Sequence, residues 1–306
     1  MTKPENDVRM LTERVSPRYV DLDSWPIKDM MAAMYEGQLA AVAAVRPVLS
    51  DIAAAVEDAA RVLGRGGRLV YVGAGTSGRI GVQDGTELTP TFDWPSERLL
   101  FLMAGGFGAL VQSVEGAEDS EDGGARAVTQ ANIGADDVVV GVAASGTTPY
   151  TIGALRAAND AGAVSIAIVS NPGAPLLRVA KYPILVKTGA EAIAGSTRMK
   201  AGTAQKIVLN LFSTALMVKL GRVYRGLMVG MRATNTKLRR RAEAIVREIV
   251  GCSEAEASHF LEQSDGDLKL AVLLGFGSEL TKASAALARH DGNLRLAIAE
   301  IAPGHG

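Results

Sequence analysis

RLVYVGAGTSGRIGVQDGTELTP, from Arg68 to Pro90, joins an apolar run, a glycine-rich turn and a helical segment. The β-branched and aromatic residues of Leu69–Val72 predict a buried strand. Gly73–Gly78 predicts a tight turn, and the helix after it is expected to end near Pro90. A strand, a glycine turn and a helix in this order present backbone N–H groups and short hydroxyls to a phosphate at the helix N-terminus. The stretch therefore predicts a phosphate-binding turn.

Strands and helices are predicted to alternate after this turn. The further strands are Leu99–Met103, Val138–Val142, Ser165–Val169 and Ile184–Val186. The predicted helices are Ile80–Leu88, Ala109–Gln130, Tyr150–Ala161 and Pro175–Ala180. Such alternation, with nearly continuous apolar strands, is typical of a parallel sheet covered on both faces. We therefore expect an α/β fold with a five-stranded parallel sheet, and a ligand beyond the carboxyl ends of its strands.

The segments around the sheet are predicted to be helical, so the chain is expected to have three parts. Residues 1–55 form an N-terminal arm and helices, residues 56–247 the α/β domain, and residues 248–306 a small helical module. The arm, up to about residue 22, is either a disordered tail or a segment that packs on a partner subunit. Gly202–Leu220 is apolar nearly all round, which predicts a buried helix and is compatible with a subunit interface.

The helical module contains a repeated segment. Ser264–Val272 and His290–Ile298 are similar in sequence at an offset of 26 residues, the distance from Asp265 to Asp291. Each copy predicts a turn that leads into a helix, with an aspartate at the cap and a glycine supplying the special backbone angle. Two copies are too few for a solenoid. The module is therefore expected to dock on another surface or to support a dimer.

The composition argues against several classes of partner. The chain has 306 residues, a formal net charge of −1 and a pI near 6.4, so neither nucleic acid nor an anionic membrane is expected to bind it. Cys252 is the single cysteine, so no intrachain disulfide and no cysteine-based metal site is expected. The polar start lacks a signal-type apolar core, and no apolar run reaches the roughly 18 residues of a spanning helix. We expect a soluble, cytoplasmic protein without a metal site.

The turn at Gly73–Gly78 also fits the G-x-G-x-x-G spacing of dinucleotide-binding proteins. That fingerprint needs an acidic residue at the end of the second strand for the ribose, but Ala104–Gly106 follows the strand here. Thr76 and Ser77 instead place two hydroxyls at the helix start, where they either bind a compact phosphate or only cap the helix. A nicotinamide or flavin cofactor is therefore disfavoured.

A second hydroxyl-rich turn, Ala143–Pro149, follows the third predicted strand. Thr148 is a natural N-cap there, and Pro149 suits the first helical position. The two turns are expected to converge on one anion, because both lie at the carboxyl edge of the same sheet. The residues predicted to bind it are Thr76, Ser77, Gly78, Ser145, Gly146, Thr147 and Thr148. This pair of turns resembles the sugar isomerase (SIS) domain, which binds phosphosugars through serine and threonine turns.

Six motifs together resemble the N-acetylmuramic acid 6-phosphate etherases. They are ERVSPRYVDLD at 13–23, GAGTSGRIG at 73–81, ELTPTF at 87–92, VEGAEDS at 114–120, ASGTTPY at 144–150 and GSTRMKAGTAQK at 195–206. The resemblance covers nearly the whole chain, including the tail, where it implies a UBA-like module. It implies a homodimer without a cofactor that cleaves the lactyl ether of N-acetylmuramic acid 6-phosphate. The products would be N-acetylglucosamine 6-phosphate and D-lactate, in cell-wall recycling.

The resemblance implies two catalytic glutamates, Glu87 as the acid and Glu118 as the second carboxylate. The chemistry agrees, because an opened sugar ring makes the C2 proton acidic. One carboxylate can then remove that proton while a carboxylic acid protonates the departing lactate oxygen. Asp84, one turn before Glu87, is an alternative acid or a residue of the helix surface.

Three further side chains are candidates for substrate binding. Glu115 is expected to share a helix face with Glu118 at i, i+3, and so to accept hydrogen bonds from sugar hydroxyls. Arg198 and Lys200 are candidates for the phosphate or the lactate carboxylate; alternatively they form an ion pair at a helix start.

The sequence departs from the family pattern in two places. Gly85-Thr86 and Leu88-Thr89 flank Glu87 where the family has alanine–serine and cysteine–proline. Thr147 stands where the family often has arginine, which removes a contact to an anion. These differences concern the strength of substrate binding more than the chemistry.

Three other functions compete with the etherase. A non-catalytic phosphosugar sensor of the glucokinase-regulator type would use the same pocket. An aldose–ketose isomerase is disfavoured because the three histidines, His259, His290 and His305, all lie in the tail. A dehydrogenase lacks its ribose-binding acid.

Overall fold

A five-stranded parallel sheet forms the centre of the α/β part in the computed structural model, which describes residues 10–231 and 236–303. The strand order is β2-β1-β3-β4-β5. The strands are β1 Leu69–Gly73, β2 Leu99–Met103, β3 Val138–Val142, β4 Val164–Val169 and β5 Tyr182–Leu185. All pairs are parallel, and β1 lies between β2 and β3. The predicted fold class is confirmed, and each predicted strand is present with its ends shifted by two residues at most.

Thirteen α-helices are present in the described residues, together with a two-stranded hairpin. The helices are α1 Ile27–Ala43, α2 Leu49–Leu63, α3 Gly75–Thr86, α4 Leu88–Phe92, α5 Glu121–Gln130, α6 Pro149–Asp160, α7 Pro175–Val179, α8 Lys200–Lys219, α9 Thr236–Val250, α10 Glu254–Gln263, α11 Leu268–Gly275, α12 Leu280–Arg289 and α13 Leu294–Ile301. The hairpin strands are β6 Val223–Tyr224 and β7 Leu227–Met228. Residues 1–9 of the predicted arm and His305 lie outside the described residues.

The contacts divide the chain into two compact units. The first contains the described residues up to Gly85 together with Glu97–Ser213, and the second contains Thr86–Ser96 and the chain from Thr214 onward. The short Thr86–Ser96 segment thus belongs with the C-terminal helices by its contacts. The boundaries predicted at residues 55/56 and 247/248 stay a prediction.

Helices cover both faces of the sheet in the first unit. Val70 and Val72 of β1 belong to one buried cluster with Leu155 of α6 and Leu176 of α7. Tyr71 points to the opposite face, where it stacks on Phe101 of β2, and α2 packs against β3, β4 and β5. Strands buried on both faces explain why the sheet sequence is continuously apolar rather than alternating.

The second unit has its own core, which α9–α13 and the hairpin form. The repeated segment is visible in it as two equal turns. Asp265 and Gly266 have φ of 52° and 74°, and Asp291 and Gly292 have 50° and 73°. The helix caps that follow are an aspartate in the first copy and an asparagine in the second, and each accepts a hydrogen bond from a backbone N–H three residues on. The prediction of a glycine turn leading into a helix is therefore correct for both copies, whereas the predicted aspartate cap is correct only for the first, because Asn293 caps the second.

The predicted helix Ala109–Gln130 is wrong over its first half. α5 begins only at Glu121, and the chain before it forms loops with a short 3₁₀ turn at Ala117–Asp119. Gly116 has a φ of 70°, and Gly105 and Gly106 also lie in the left-handed region. Glycines in that conformation interrupt a right-handed helix, so the loop needs them and the helix cannot start earlier.

One helical stretch in the described chain, Ile27–Leu63, has the length and composition of a membrane-spanning helix. It contains α1 and α2, and a third of its most apolar window is buried. A stretch can have this composition with up to two charged residues in the window, whereas the sequence expectation concerned an unbroken apolar run. In the α2 part of this stretch, Ala55, Ala59 and Leu63 are buried, and α2 packs against β3, β4 and β5.

Candidate active site

The first glycine turn connects β1 to α3 and has the predicted construction. A Cβ on Gly73 would lie 2.9 Å from Gly78 and 3.0 Å from the carbonyl oxygen of Val142, so only glycine fits. The helix therefore starts directly above the strand end, with Thr76 and Ser77 half-buried in its first turn. The first N–H groups of a helix have no intrahelical acceptor. They are available to an anion at this position.

The second turn connects β3 to α6. Ser145 Oγ accepts a hydrogen bond from the N–H of Thr147 at 3.2 Å and lies 3.5 Å from Thr148 Oγ1. Gly146 has a φ of 69°, and a Cβ there would lie 2.5 Å from Val169. The turn is thus folded around the Ser145 hydroxyl, with the side chains of Thr147 and Thr148 half-buried beside it.

The sheet brings the two turns together. β1 and β3 are hydrogen-bonded neighbours, and Gly73 at the end of β1 pairs with Val142 at the end of β3. Neighbouring strands lie about 4.8 Å apart. The two hydroxyl-rich turns therefore begin side by side at the carboxyl edge, which is the arrangement that binding of one anion requires.

A third helix N-terminus, that of α8, lies beside the first turn. A Cβ on Gly202 would lie 3.7 Å from the Thr76 methyl group, and Ser77 Oγ donates a hydrogen bond to Gln205 Oε1 at 3.1 Å. Buried Glu191 anchors the start of α8, because its two oxygens accept the N–H groups of Lys200 and Ala201, each at 2.9 Å. A carboxylate at this end of a helix also interacts favourably with the helix dipole.

The two predicted cations next to α8 have different surroundings. Lys200 Nζ donates to the carbonyl oxygen of Thr188 at 2.9 Å. Burial lowers the pKa of Lys200, and the nearby charge of Glu191 opposes this shift. Arg198 is exposed and makes no hydrogen bond with another described residue. Arg198 can therefore turn its whole guanidinium to an anionic ligand, whereas Lys200 uses one of its three N–H donors on a backbone carbonyl.

The described part of the N-terminal arm packs on its own chain near the second turn. Thr12 is fully buried. Its N–H donates to Asn171 Oδ1 at 3.2 Å, and Asn171 Nδ2 donates to Thr12 Oγ1 at 3.0 Å and to the carbonyl oxygen of Ala144 at 3.1 Å. The N–H of Gly195 donates to the carbonyl oxygen of Thr12 at 2.8 Å. The disordered-tail alternative is therefore wrong for this part of the arm.

Glu118 and Glu115 lie on the loop between β2 and α5. Both are exposed, Glu118 within the 3₁₀ turn and Glu115 before it. They do not share a helix face, because Gly116 lies between them with a φ of 70° and interrupts the helix. The predicted shared face is therefore wrong. The turn that contains Glu118 packs against α6, and α6 begins at the second hydroxyl-rich turn.

Two glycines fix the position of α5 against α6. A Cβ on Gly124 would lie 1.9 Å from the carbonyl oxygen of Tyr150, and one on Gly153 would lie 2.0 Å from that of Glu121. The two backbones are therefore in direct contact. Because α5 follows Glu118 and α6 follows Ser145, this contact ties the acidic loop to the second turn.

Glu87 belongs to the second unit, whereas Glu118 belongs to the first. It follows the last residue of α3, occupies the position before α4 and is exposed. The predicted single helix is broken here because Pro90 lacks the N–H that would bond to the Thr86 carbonyl. Within the second unit, Arg222 donates to the carbonyl oxygens of Phe92 and Asp93, at 3.3 and 2.9 Å.

The described residues contain no group of three or more His, Cys, Asp or Glu side chains that could hold a metal ion. Asp84 is buried. The alternative that placed it on the helix surface is therefore wrong. Asp84 accepts hydrogen bonds from Tyr71 OH at 2.8 Å, Asn210 Nδ2 at 2.5 Å and Ser213 Oγ at 3.3 Å. Because it is buried and accepts three hydrogen bonds from its own chain, Asp84 has a structural role.

Three family models match the chain. The glucokinase regulatory protein N-terminal SIS domain matches residues 51–159, the SIS domain matches residues 115–215, and a UBA-like domain matches residues 247–279. The SIS matches cover the sheet and both hydroxyl-rich turns, and the UBA-like match covers the start of the C-terminal helices.

Relatives of similar length match nearly the whole chain. An N-acetylmuramic acid 6-phosphate etherase of Deinococcus radiodurans is 51% identical over 290 residues, which are 94% of this chain and 95% of the relative. An N-acetylmuramic acid 6-phosphate etherase of Salmonella typhimurium is 45% identical over 290 residues, 94% of this chain and 98% of the relative. The chain belongs to the N-acetylmuramic acid 6-phosphate etherase family. The resemblance inferred from the six motifs is confirmed.

The etherase motifs contain residues whose roles sequence analysis missed. Arg79, in the first motif of the sheet, donates to the carbonyl oxygens of Ala109 and Leu110. Gln205, in the motif at the start of α8, contacts Ser77. Their place inside family motifs was a signal that these side chains matter, but it did not say which group each contacts.

Glu191 and Asn171 lie outside the six etherase motifs and were also missed. Each is a polar residue in a loop, and nothing in the local sequence shows that Glu191 is buried or that Asn171 reaches the arm. Contacts between residues far apart in the chain determine both roles.

Proposed function

We propose that this protein cleaves the D-lactyl ether of N-acetylmuramic acid 6-phosphate, giving N-acetylglucosamine 6-phosphate and D-lactate. The observation that supports it best is the pair of hydroxyl-rich turns on adjacent strands, in a chain whose etherase relatives match over 94% of its length. The turns bind the 6-phosphate. The sugar then extends over the edge of the sheet toward the acidic loop.

The reaction is an elimination followed by addition of water. In the open-chain sugar, Glu118 removes the C2 proton, and the electron pair forms the C2–C3 double bond. The C3–O bond breaks, and Glu87 delivers its proton to the departing lactate oxygen. Water then adds at C3 after giving a proton to Glu87, and Glu118 returns its proton to C2. Both carboxyl groups end in their starting protonation states.

Binding is assigned to the residues that the two turns and α8 present. They are Thr76, Ser77, Gly78, Ser145, Gly146, Thr147 and Thr148 for the phosphate, Glu115 for sugar hydroxyls, and Arg198 and Lys200 for an anionic group. Arg198 is the better of the two cations, because Lys200 already donates to a backbone carbonyl.

Release of D-lactate from the purified substrate tests the activity. Glu87→Gln and Glu118→Gln are each expected to lower kcat by about a hundredfold or more, the usual scale of acid–base catalysis, with little change in binding of N-acetylglucosamine 6-phosphate. Asp119→Asn is the matched control, since Asp119 is an exposed carboxylate in the same 3₁₀ turn. Turnover that survives both glutamine substitutions would contradict the assignment.

The second candidate is a phosphosugar sensor, favoured by the match of residues 51–159 to the glucokinase regulatory protein SIS domain. A sensor would bind N-acetylglucosamine 6-phosphate and release no lactate from the substrate. The same two measurements therefore separate it from the etherase.

The protein acts as a homodimer in this proposal. One face of α1 exposes a row of large apolar side chains, Ile27, Met31, Tyr35, Leu39 and Val42, each between 50% and 70% accessible. A stripe of this size at helical spacing is typical of a surface that another protein covers.

Because its substrate is a charged sugar phosphate, which does not cross a membrane unaided, we place the enzyme in the cytoplasm.

Light scattering during size-exclusion chromatography tests the dimer. Tyr35→Glu and Leu39→Glu are expected to give a monomer, whereas Lys282→Glu, on an exposed face of α12, leaves the mass unchanged. A wild-type monomer that binds to vesicles through α1 would favour a membrane contact instead.

A further inference from the structure

Gln205 lies in the second turn of α8, and its side chain is buried next to the first hydroxyl-rich turn. Only 1% of the residue is exposed. Its Oε1 accepts the hydrogen bond from Ser77 Oγ at 3.1 Å. Its Nε2 is buried and has no hydrogen-bond partner among the described residues. A buried amide nitrogen of this kind is rare, because an unpaired donor costs free energy.

In this arrangement Ser77 Oγ donates its hydrogen to Gln205, so the hydrogen is not available to a phosphate. A serine hydroxyl has one hydrogen to donate, and here that hydrogen points to Gln205. Phosphate oxygens need donors, so Ser77 cannot serve a phosphate while it donates to the amide oxygen.

Rotation of the Gln205 amide by 180° pairs the buried nitrogen and frees the Ser77 hydrogen, and it leaves Oε1 as the atom without a partner among the described residues. The amide oxygen and nitrogen exchange places, and Nε2 then donates to Ser77 Oγ. The buried nitrogen gains a partner, and the Ser77 hydrogen becomes free to point toward the ligand. The rotation needs no backbone movement, because a terminal amide turns about its last side-chain bond.

The start of α8 is held in place next to the first hydroxyl-rich turn. Glu191 accepts the N–H groups of Lys200 and Ala201, and Gly202 packs against Thr76. The helix therefore keeps Gln205 beside the first hydroxyl-rich turn.

We propose that Gln205 is a positioning residue whose amide Nε2 donates to Ser77 Oγ and so sets Ser77 as a hydrogen-bond donor to the substrate's phosphate. The inference rests on the proposed function, in which Ser77 binds that phosphate. Gln205 acts through Ser77 and does not itself touch the substrate.

Two substitutions separate this role from a merely structural one. Gln205→Glu provides a carboxylate that can only accept from Ser77, which withdraws the hydrogen from the phosphate and adds a negative charge next to it. We expect KM for the substrate, and Ki for inorganic phosphate, to rise by about tenfold above neutral pH. The rise should disappear as the new carboxyl group becomes protonated, because its O–H can then donate to Ser77.

Gln205→Met has nearly the same length but neither donates nor accepts. It is expected to raise KM by about threefold at every pH, since Ser77 then lacks the donor that orients it. In both variants kcat at saturating substrate should stay close to the wild-type value. Gln38→Met is the matched control, because Gln38 is a half-buried glutamine that accepts a hydrogen bond from Thr203 on the same helix.

Ser77→Ala distinguishes failure of this inference from failure of the proposed function. If Ser77→Ala leaves KM and the phosphate Ki unchanged, the first turn does not bind phosphate and the proposed site is wrong. If Ser77→Ala raises both but Gln205→Glu and Gln205→Met behave like Gln38→Met, the role of Gln205 is refuted. If Gln205→Glu fails to fold, as shown by its thermal unfolding, the pH-independent rise expected for Gln205→Met decides the question.

Discussion

Arg79 donates to the carbonyl oxygen of Ala109 twice, through Nε at 3.1 Å and through Nη2 at 2.8 Å. Nε also lies 3.1 Å from the carbonyl oxygen of Leu110. Arg79 is two residues after Ser77 on α3, and Ala109 belongs to the loop that continues to Glu118. The guanidinium therefore connects the helix of the first hydroxyl-rich turn to the loop of a proposed catalytic residue.

Loss of this connection is expected to reduce turnover. Arg79→Met leaves the two carbonyl groups to water and frees the loop, and a small displacement of a catalytic group lowers kcat by about tenfold or more. Arg79→Lys keeps the charge but not the forked geometry, so we expect an intermediate loss. The D-lactate assay measures kcat, and limited proteolysis measures exposure of the loop. Equal kcat and equal cleavage in all three proteins would show that the contact does not position the loop.

Glu191 is expected to be needed for an ordered start of α8. Glu191→Gln keeps one acceptor oxygen but places an NH2 group against a backbone N–H, at a cost of about 1–2 kcal/mol. Amide hydrogen exchange should then be faster at Lys200 and Ala201 than in the wild type. Glu248→Gln, at an exposed position of α9, is the control. Unchanged protection of these two amides would contradict the capping role.

The sheet and its turns could be predicted because local sequence determines them. The strand Val138–Val142 is apolar at nearly every position, and its predicted bounds are those observed. Positions 73 and 78 need glycine because a Cβ at either would lie less than 3 Å from neighbouring atoms. The glycines themselves are visible in the sequence. Hydroxyl-rich turns at strand ends follow from the same local reasoning.

The acidic loop could not be predicted in this way. Its residues have helix-compatible spacing, and only the positive φ of Gly116 interrupts the pattern. The assignment of Glu118 over its acidic neighbours came from the family resemblance alone. Long-range partners such as Glu191 for α8 and Asn171 for the arm depend on the tertiary fold, which no local pattern contains.

The Asp84 cluster is expected to stabilise the first unit through its hydrogen bonds. Asp84→Asn keeps the shape and can still accept from Asn210 or Ser213, so we expect a loss of about 1 kcal/mol. Asp84→Leu leaves the buried donors of Tyr71, Asn210 and Ser213 unpaired, and we expect a loss of about 3 kcal/mol or more. Urea unfolding measures both changes. If the leucine variant were as stable as the asparagine variant, the three hydrogen bonds would be of no consequence for stability.

Lys269 of α11 is expected to make the second unit more stable as the pH rises above about 8. The pKa of Lys269 is lowered from 10.5 to about 8, mainly by burial and also by the charge of Arg222, while the charges of Asp267 and Asp93 oppose the shift. Between these two pH values the unfolded chain binds more protons than the folded one, so the free energy of unfolding increases with pH. Below about pH 8 both states are protonated and the folded state bears the full cost of the buried charge.

Lys269→Met is expected to abolish that increase. A difference of about two and a half pH units corresponds to at most roughly 3 kcal/mol. The free energy of unfolding should therefore be measured for both proteins at several pH values from about 7 to 11. Over this range we expect the wild-type value to increase relative to the value for Lys269→Met. Lys282→Met, at an exposed position of α12 in the same unit, should run parallel to the wild type. Parallel curves for Lys269→Met as well would show that the ammonium group is charged at no cost in the folded protein.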